Sequence, residues 1–180
     1  MDGLVVIDMQ IGLLDGAPKH DLAGVIGRIN RLAAGVRQHA GKVIWIQHCG
    51  PEGTEFAPGR PGWQFLPELH RGESDLIVAK TLNDAFAGSD LQEILEQHRV
   101  GRILIAGWAT DFCVDTTLRS AVSRGYHVVA VSDAQTLADR PHLDAAGVIR
   151  HHTWVWANLI TPASIRIATT DELLGELHAA

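Results

Sequence analysis

The sequence predicts an α/β fold in which helices cover both faces of a mostly parallel sheet. Short runs rich in β-branched residues recur along the chain, and they are continuously apolar, as in strands buried on both faces. Segments with helical spacing separate these runs, which favours right-handed crossovers and a three-layer αβα arrangement. The chain has 180 residues, 46% of them hydrophobic. We therefore predict one domain over residues 1–180.

Six runs are the predicted strands of this sheet. Five are strongly apolar, and the sixth contains a serine and an arginine. They cover residues 4–7, 43–46, 76–78, 103–106, 127–131 and 164–167.

The first predicted helix lies between the first two strands. One apolar stripe repeats at helical spacing through Leu22, Val25, Ile26, Ile29, Leu32, Ala33 and Val36. Asp21 is placed to cap its start, and Gly41 marks its end.

Capping signals and spacing predict the other helices. Ser89-Asp90-Leu91-Gln92 is a capping-box pattern that opens a helix through about Gln97, and Thr169-Thr170-Asp171-Glu172 repeats the pattern. Helical spacing also fits residues 113–124 and 142–158. Between the second and third strands, glycines and prolines in residues 50–62 predict a long loop, either a lid or a plain surface excursion.

Charge and composition exclude several classes of protein. The net charge of −6 is dispersed and no Lys/Arg cluster is present, which argues against a nucleic-acid partner. No run approaches the ~20 apolar residues of a membrane-spanning helix, and the first residues lack the features of a secretory signal. We expect a soluble cytoplasmic protein whose cysteines, Cys49 and Cys113, stay reduced.

Polar residues follow the predicted strands, where open parallel sheets bind their ligands. They are Asp8, His48, Lys80, the segment 107–113 and Asp133. The carboxyl ends of parallel strands meet at one edge of a sheet, so we expect these side chains to lie close together.

Three of these residues form a candidate catalytic set. Taken singly, Asp8 is typical of a turn, Lys80 of a solvated strand end and Cys113 of a small buried side chain. Taken together, a helix N-terminus and the Lys80 ammonium would favour a Cys113 thiolate. Asp8 would accept the thiol proton, and backbone N–H groups before the helix would hold an oxyanion.

Several motifs resemble the isochorismatase-like cysteine hydrolase superfamily. They are VVIDMQ at 5–10, Lys80 with AF at 85–86 and SDL at 89–91, GWATDFCVDTTLRSA at 107–121, and SDA at 132–134, so the resemblance covers residues 4 to about 170. It implies an Asp8–Lys80–Cys113 triad and a Rossmann-like sheet of order 3-2-1-4-5-6. It also implies a cis peptide bond between Trp108 and Ala109 that aims the N–H groups of Ala109 and Cys113 at an oxyanion.

The resemblance also implies a class of reaction. We expect a hydrolase that cleaves a small carboxamide, carbamoyl or ureido C–N bond through a covalent acyl-enzyme on Cys113. One alternative is a non-covalent, isochorismatase-type vinyl ether hydrolase in which Asp8 is the acid, and another is a catalytically idle binding member of the fold. A homo-oligomer is expected, with the apolar segment 154–160 as a candidate contact.

The chain departs from metal-dependent relatives, which carry an Asp-x-His pair after the second strand. Residues 47–50 here read Gln-His-Cys-Gly, and His151 and His152 point about 100° apart on one helix. We predict neither a catalytic metal nor another cofactor.

Five residues are candidates for binding a small-molecule substrate. Trp63 closes the loop, and Trp108 and Phe112 flank the nucleophile. His48 ends a strand, where a purely structural role is an equal alternative. Many relatives have serine where this chain has Asp84, which would either face the pocket or cap a turn.

Overall fold

The computed structural model describes residues 1–179, and a six-stranded sheet forms its centre. The strands are β1 (Asp2–Ile7), β2 (Lys42–His48), β3 (Leu76–Lys80), β4 (Arg102–Trp108), β5 (His127–Thr136) and β6 (Ile165–Ala168). They lie in the order β3-β2-β1-β4-β5-β6, and every neighbouring pair is parallel. The predicted fold class and strand order are confirmed.

Helices cover both faces of the sheet. They are α1 (Ile11–Leu14), α2 (Leu22–Gln38), α3 (Leu91–Gln97), α4 (Asp115–Ser123), α5 (Ala145–Ala157) and α6 (Thr170–Ala179). Side chains of α2 and α6 pack in the core of one face, and those of α3, α4 and α5 pack in the core of the other. The result is the predicted three-layer arrangement.

The central strand β1 shows why the strand sequences are apolar without alternation. Leu4 and Val6 join the core beneath α2 and α6, whereas Val5 and Ile7 join the opposite core. All four are at most 1% exposed. Since successive side chains of a strand point to opposite faces, a sheet covered on both sides needs apolar residues at every position.

Two features expected at the ends of α2 differ in detail. Asp21 precedes the helix, but it has a left-handed backbone (φ 44°) and its carboxylate pairs with Arg28 at 2.5 Å instead of capping. At the other end the left-handed residue is Ala40 (φ 57°), and Gly41 donates its N–H to the carbonyl of Val36 at 2.8 Å. The helix is present, but ion pairing and the local turn replace the expected caps.

Of the two expected capping boxes, only the C-terminal one forms. Thr169 and Glu172 exchange hydrogen bonds, with Thr169 N donating to Glu172 Oε2 at 2.7 Å and Glu172 N to Thr169 Oγ1 at 3.3 Å. Ser89 instead accepts from the N–H of Leu91 and donates to the carbonyl of Ala85. The Ser89 hydroxyl therefore forms its hydrogen bonds within the turn before α3 and does not form a capping box.

The helices expected over residues 113–124 and 142–158 begin later than predicted. A π-helical turn over Thr110–Val114 precedes α4, and α5 begins after Asp144, whose carboxylate accepts from Gly147 N at 2.7 Å. Before Asp144, Arg140 and Leu143 form a small antiparallel bridge, which keeps residues 140–143 out of the helix.

Residues 50–62 form a succession of turns, and the segment is tied to the end of β2. Gln10 donates from its amide nitrogen to the carbonyls of His48 (2.9 Å) and Trp63 (2.8 Å). Gly50 donates its N–H to the carbonyl of Phe56 at 2.9 Å. Both ends of the segment thus lie against the carboxyl edge of the sheet. Within residues 1–179, no helix is long and apolar enough to cross a membrane.

We expect Asp75→Ala to lower the free energy of unfolding by about 3 kcal/mol at pH 7, because buried partners lose their acceptor. Asp75 accepts two hydrogen bonds from Arg37 (2.8 and 2.6 Å) and one from the indole of buried Trp45 (2.7 Å). Burial by itself would raise the pKa of Asp75, but these donors outweigh it and the pKa is lowered. The stabilisation is therefore present above the ordinary aspartate value of about 4 and is lost as the pH falls through the lowered pKa.

Urea denaturation at several pH values measures this effect. The control is Asp171→Ala, which removes a surface ion pair to Arg31 and should cost at most about 1 kcal/mol. Equal destabilisation by the two substitutions would contradict the role given to Asp75.

Candidate active site

Three polar side chains meet at the carboxyl edge of the sheet. Asp8 follows β1, Lys80 is the last residue of β3, and Cys113 lies in the π-helical turn after β4. Lys80 Nζ is 2.6 Å from Asp8 Oδ2 and 3.5 Å from Cys113 Sγ. The structure thus brings the proposed triad within contact distance.

The lysine reaches Asp8 across an intervening strand. In the sheet, β2 separates β3 from β1, so the backbones of Lys80 and Asp8 are about 10 Å apart at ~4.8 Å per strand. The extended lysine stem covers much of this distance, and Nζ also donates to the carbonyl of Leu82 at 3.0 Å. Asp8 has a left-handed backbone (φ 52°), a conformation that aspartate tolerates better than most residues.

Asp8 is buried, at 1% exposed, and only one of its two carboxylate oxygens has a partner among residues 1–179. Oδ2 pairs with Lys80, whereas Oδ1 has no hydrogen-bond partner among residues 1–179. Burial raises the pKa of this carboxyl, and the Lys80 ammonium opposes the rise. The free oxygen next to a thiol is thus a proton acceptor made more basic by its surroundings.

The Cys113 thiol is protonated at rest, contrary to the expectation of a stabilised thiolate. Burial, together with the negative charge of Asp8, raises the pKa of the thiol to about 12, although Lys80 acts in the other direction. The lysine and the helix N-terminus favour the thiolate, but the loss of hydration on burial outweighs them. Asp8 also neutralises most of the lysine charge, since the two form an ion pair.

The backbone before Cys113 is unusual in two respects. The Trp108–Ala109 peptide bond is cis. Gly107 has φ 120°, and a β-carbon there would collide with the backbone of Ile7 on the neighbouring strand. Only glycine can adopt this φ and also lack a β-carbon at this position. Gly107 is therefore suited to the end of β4, just before the π-helical turn that carries Cys113.

A cavity of about 240 Å³ opens beside Asp8 and Cys113, and Lys80 is not part of its lining. Its lining comprises Asp8, Leu13, His48, Asn83, Trp108, Ala109, Phe112, Cys113 and Arg140. His48, Trp108 and Phe112, expected as substrate-binding residues, lie on this wall, as does Ala109, expected in the oxyanion hole.

Trp63 and Asp84 do not line this cavity. The Trp63 indole donates to Cys49 Sγ at 3.2 Å, and its carbonyl accepts from Gln10 and Gln47, so the residue anchors the loop. Asp84 accepts from the N–H of Phe86 at 2.9 Å, which is the turn-capping role that the sequence left open. A short turn after β3 thus presents Asn83, not Asp84, to the cavity.

Sequence reasoning did not single out Leu13, Asn83 or Arg140. Asn83 Oδ1 is 3.7 Å from Cys113 Sγ. Its closeness to Lys80 along the chain was a usable signal. Arg140 forms two hydrogen bonds of 2.7 Å to Asp111 and lies 5.3 Å from the centre of the Phe112 ring. No local pattern indicated this arginine, because it reaches the site only through the tertiary fold.

His48 contributes a neutral, hydrogen-bonding side chain. Burial and the charge of Lys80 lower its pKa, so the ring is uncharged at neutral pH. Among residues 1–179, no group of three or more His, Cys, Asp or Glu side chains is placed to hold a metal ion.

We expect Lys80→Met to lower the free energy of unfolding by about 3–5 kcal/mol, because Asp8 would be left as an unpaired buried charge. The double variant Asp8→Asn with Lys80→Met removes both charges and should recover most of the loss. Urea denaturation of the two single variants and the double variant measures the coupling. Additive losses in the double variant would show that the ion pair at 2.6 Å does not govern stability here.

Comparison with known proteins identifies the family. The family model for the isochorismatase domain matches residues 2–163. A streptothricin hydrolase from Streptomyces noursei is 31% identical over 142 residues, 78% of this chain but 51% of that protein, so the chain spans about half its length. The ureidoacrylate amidohydrolase RutB of Methylorubrum extorquens is 26% identical over 82% of this chain and 74% of its own length.

A solved structure of an isochorismatase family protein gives the same result. It is 32% identical, with a TM-score of 0.84, and the match covers 93% of this chain and 98% of the other. The sheet order, the motifs at the strand ends and the matched model agree, and the chain belongs to the isochorismatase family.

Proposed function

We propose that this protein is a cysteine hydrolase that cleaves the C–N bond of a small carboxamide, carbamoyl or ureido compound. One observation carries the proposal: the Cys113 thiol lies beside the buried Asp8 carboxylate, whose Oδ1 has no hydrogen-bond partner among residues 1–179. A lysine 2.6 Å from the other oxygen holds that carboxylate in place. This is the arrangement of a nucleophile with its general base.

In the acylation half of the reaction, the Cys113 proton passes to Asp8 as sulfur attacks the carbonyl carbon. A C–S bond forms, and the carbonyl π electrons move onto oxygen. Asp8 then gives the proton to the nitrogen, the oxyanion electrons re-form the C=O bond as the C–N bond breaks, and the amine or ammonia leaves. The product is an acyl-enzyme on Cys113, a thioester from a carboxamide or a thiocarbamate from a carbamoyl or ureido compound, and Asp8 is again a carboxylate.

In the deacylation half, Asp8 accepts a proton from water as the water oxygen attacks the carbonyl carbon of this acyl-enzyme. The C–S bond then breaks, sulfur regains the proton from Asp8, and the acid product leaves. A thiol with a pKa of about 12 is a poor nucleophile without a base, so both halves depend on Asp8.

The oxyanion would be held by the backbone N–H groups of Ala109 and Cys113. Both residues line the cavity; Ala109 directly precedes the π-helical turn, and Cys113 lies within it. Preorganised N–H donors stabilise the charge that develops on oxygen without having to reorient.

The cavity and the relatives support the class of substrate. A volume of about 240 Å³ is small, and its walls include neutral hydrogen-bonding groups on His48 and Asn83. One relative is a ureidoacrylate amidohydrolase. A small amide or ureido group fits both observations.

The test is a screen of small carboxamides, carbamoyl and ureido compounds for ammonia release, with intact-protein mass spectrometry of the acid-quenched reaction. An active compound should add the mass of its acyl group to the intact protein, and digestion should place that mass on the peptide that contains Cys113. Ammonia release without any covalent adduct, under conditions that trap the intermediate, would contradict the covalent route.

The proposal also includes predictions about the oligomeric state, the binding partners and the cellular location. We expect a cytoplasmic homo-oligomer that binds a small molecule and no nucleic acid. In segment 154–160, Trp156 is buried, whereas Trp154 is 68% exposed and Ile160 is 98% exposed. These exposed side chains are the apolar surface that a second copy would cover.

A further inference from the structure

A second cavity adjoins the candidate active site. Its volume is about 280 Å³, and Phe112 and Arg140 line both cavities. The remaining lining residues are Asp111, Pro141, His142, Leu143, Val148, His151 and His152. None of these seven belongs to the proposed catalytic machinery.

The partition between the cavities is a single aromatic ring with an arginine against it. Phe112 is 52% exposed, and the Arg140 guanidinium lies 5.3 Å from its ring centre. Asp111 holds Arg140 in place through two hydrogen bonds of 2.7 Å. A molecule whose reactive carbon lies at Cys113 can therefore extend past Phe112 into the second cavity.

The second cavity is suited to an uncharged apolar group. Phe112, Leu143 and Val148 supply apolar surface, and the planar imidazole rings of the three lining histidines complete the wall. His152 Nδ1 lies 3.0 Å from the carbonyl of Val148, which fixes that ring. The charge of Arg140 is balanced by Asp111.

Size also favours a ligand that occupies both cavities. Ligand pockets usually measure about 300–1000 Å³. The first cavity by itself is smaller than this range, and the two joined fall within it.

We propose that the second cavity binds an aromatic or branched aliphatic tail of the substrate while the amide or ureido group lies at Cys113. The inference rests on the proposed function for the nature of the reacting group. Contacts with such a tail hold the reactive carbon against sulfur, so they accelerate the covalent step.

Alkylation of Cys113 tests the second cavity without a known substrate. The probes are N-methyl and N-(2-phenylethyl) chloroacetamide at pH 9, which carry the same reactive group and differ only in the tail. Peptide mass spectrometry separates Cys113 from Cys49. We expect the phenylethyl reagent to modify Cys113 at least about 10-fold faster than the methyl reagent, and Cys49 at similar rates with both.

Leu143→Asp places a charge in the second cavity, and it should reduce this preference to within about 2-fold while leaving the methyl rate unchanged. The matched control is Ile77→Asp, which also replaces an exposed apolar residue but lies outside both cavities. If Leu143→Asp also slows the methyl reagent, the milder Leu143→Ala carries the comparison, with the same expected direction.

Equal rates for the two reagents in the unaltered protein, or a preference that survives both Leu143 substitutions, would overturn the inference. The outcome is separable from the proposed function. A tail preference without hydrolysis of any amide would refute the hydrolase and keep the binding site. Hydrolysis without a tail preference would do the reverse.

Discussion

Cys113→Ala is expected to lower kcat/KM for any amide substrate by about four orders of magnitude or more, because the covalent route loses its nucleophile. The side chain sits between Lys80 and Asn83 and contributes little to the sheet, so the fold should survive. Thermal unfolding followed by circular dichroism checks this. Steady-state ammonia release measures the loss.

The same variant separates the two enzymatic interpretations of the family. A vinyl ether hydrolase that uses Asp8 as its acid does not need sulfur, and it would retain turnover in Cys113→Ala. Cys49→Ala is the matched control, because Cys49 is the other free cysteine and contacts the Trp63 indole outside the cavity. Loss of activity in both variants would indicate a general thiol effect and contradict the specific role of Cys113.

Asp8→Asn is expected to have opposite effects on turnover and on thiol reactivity. Turnover should fall about 10²–10⁴-fold, the usual contribution of a general base. The negative charge of Asp8 raises the pKa of the Cys113 thiol. Removal of the Asp8 charge leaves Lys80 unpaired beside the sulfur, so the pKa of the Cys113 thiol should fall. For each pKa unit of that decrease, alkylation by iodoacetamide at pH 7 should become about 10-fold faster.

The pH dependence of alkylation distinguishes this mechanism from simple damage to the site. In the unaltered protein, Cys113 alkylation should keep rising up to pH 10 without a plateau, because the thiol pKa is about 12. In Asp8→Asn, the plateau should appear at lower pH. Asp84→Asn is the control, since Asp84 caps a turn and does not line the cavity, and it should change neither quantity. A slower alkylation in Asp8→Asn would show that the carboxylate does not hold the thiol in its protonated form.

The fold was predictable because the central strand is apolar at every position from Leu4 to Ile7, which indicates burial on both faces of the sheet. Val5 and Ile7 face one core and Leu4 and Val6 the other, so the absence of alternation identified a sheet covered on both faces. The sheet order followed from a family resemblance and is confirmed. Helix starts were less predictable, since Asp21 and Ser89 found partners in Arg28 and Ala85 that only the folded chain supplies.

The members of the candidate site were predictable where each follows a strand. Asp8, His48 and Lys80 lie at or directly after the end of a parallel strand, and Cys113 lies in the turn that follows β4. The carboxyl ends of such strands share one edge. Arg140 and Leu13 lie in segments with no such position. Asn83 and Asp84 are adjacent in the chain, and the turn that chooses between them depends on a hydrogen bond to the Phe86 N–H.

By itself the sequence determined the layered α/β architecture, the edge at which chemistry is placed, and the identity of the acid, amine and thiol that meet there. These properties depend on local periodicity and on the common direction of parallel strands. Only the tertiary structure decided the protonation of Cys113 and the walls of the cavities. The thiol pKa depends on how much hydration the folded chain removes from the sulfur. Arg140 contacts Phe112 only because the segment after β5 packs against the site.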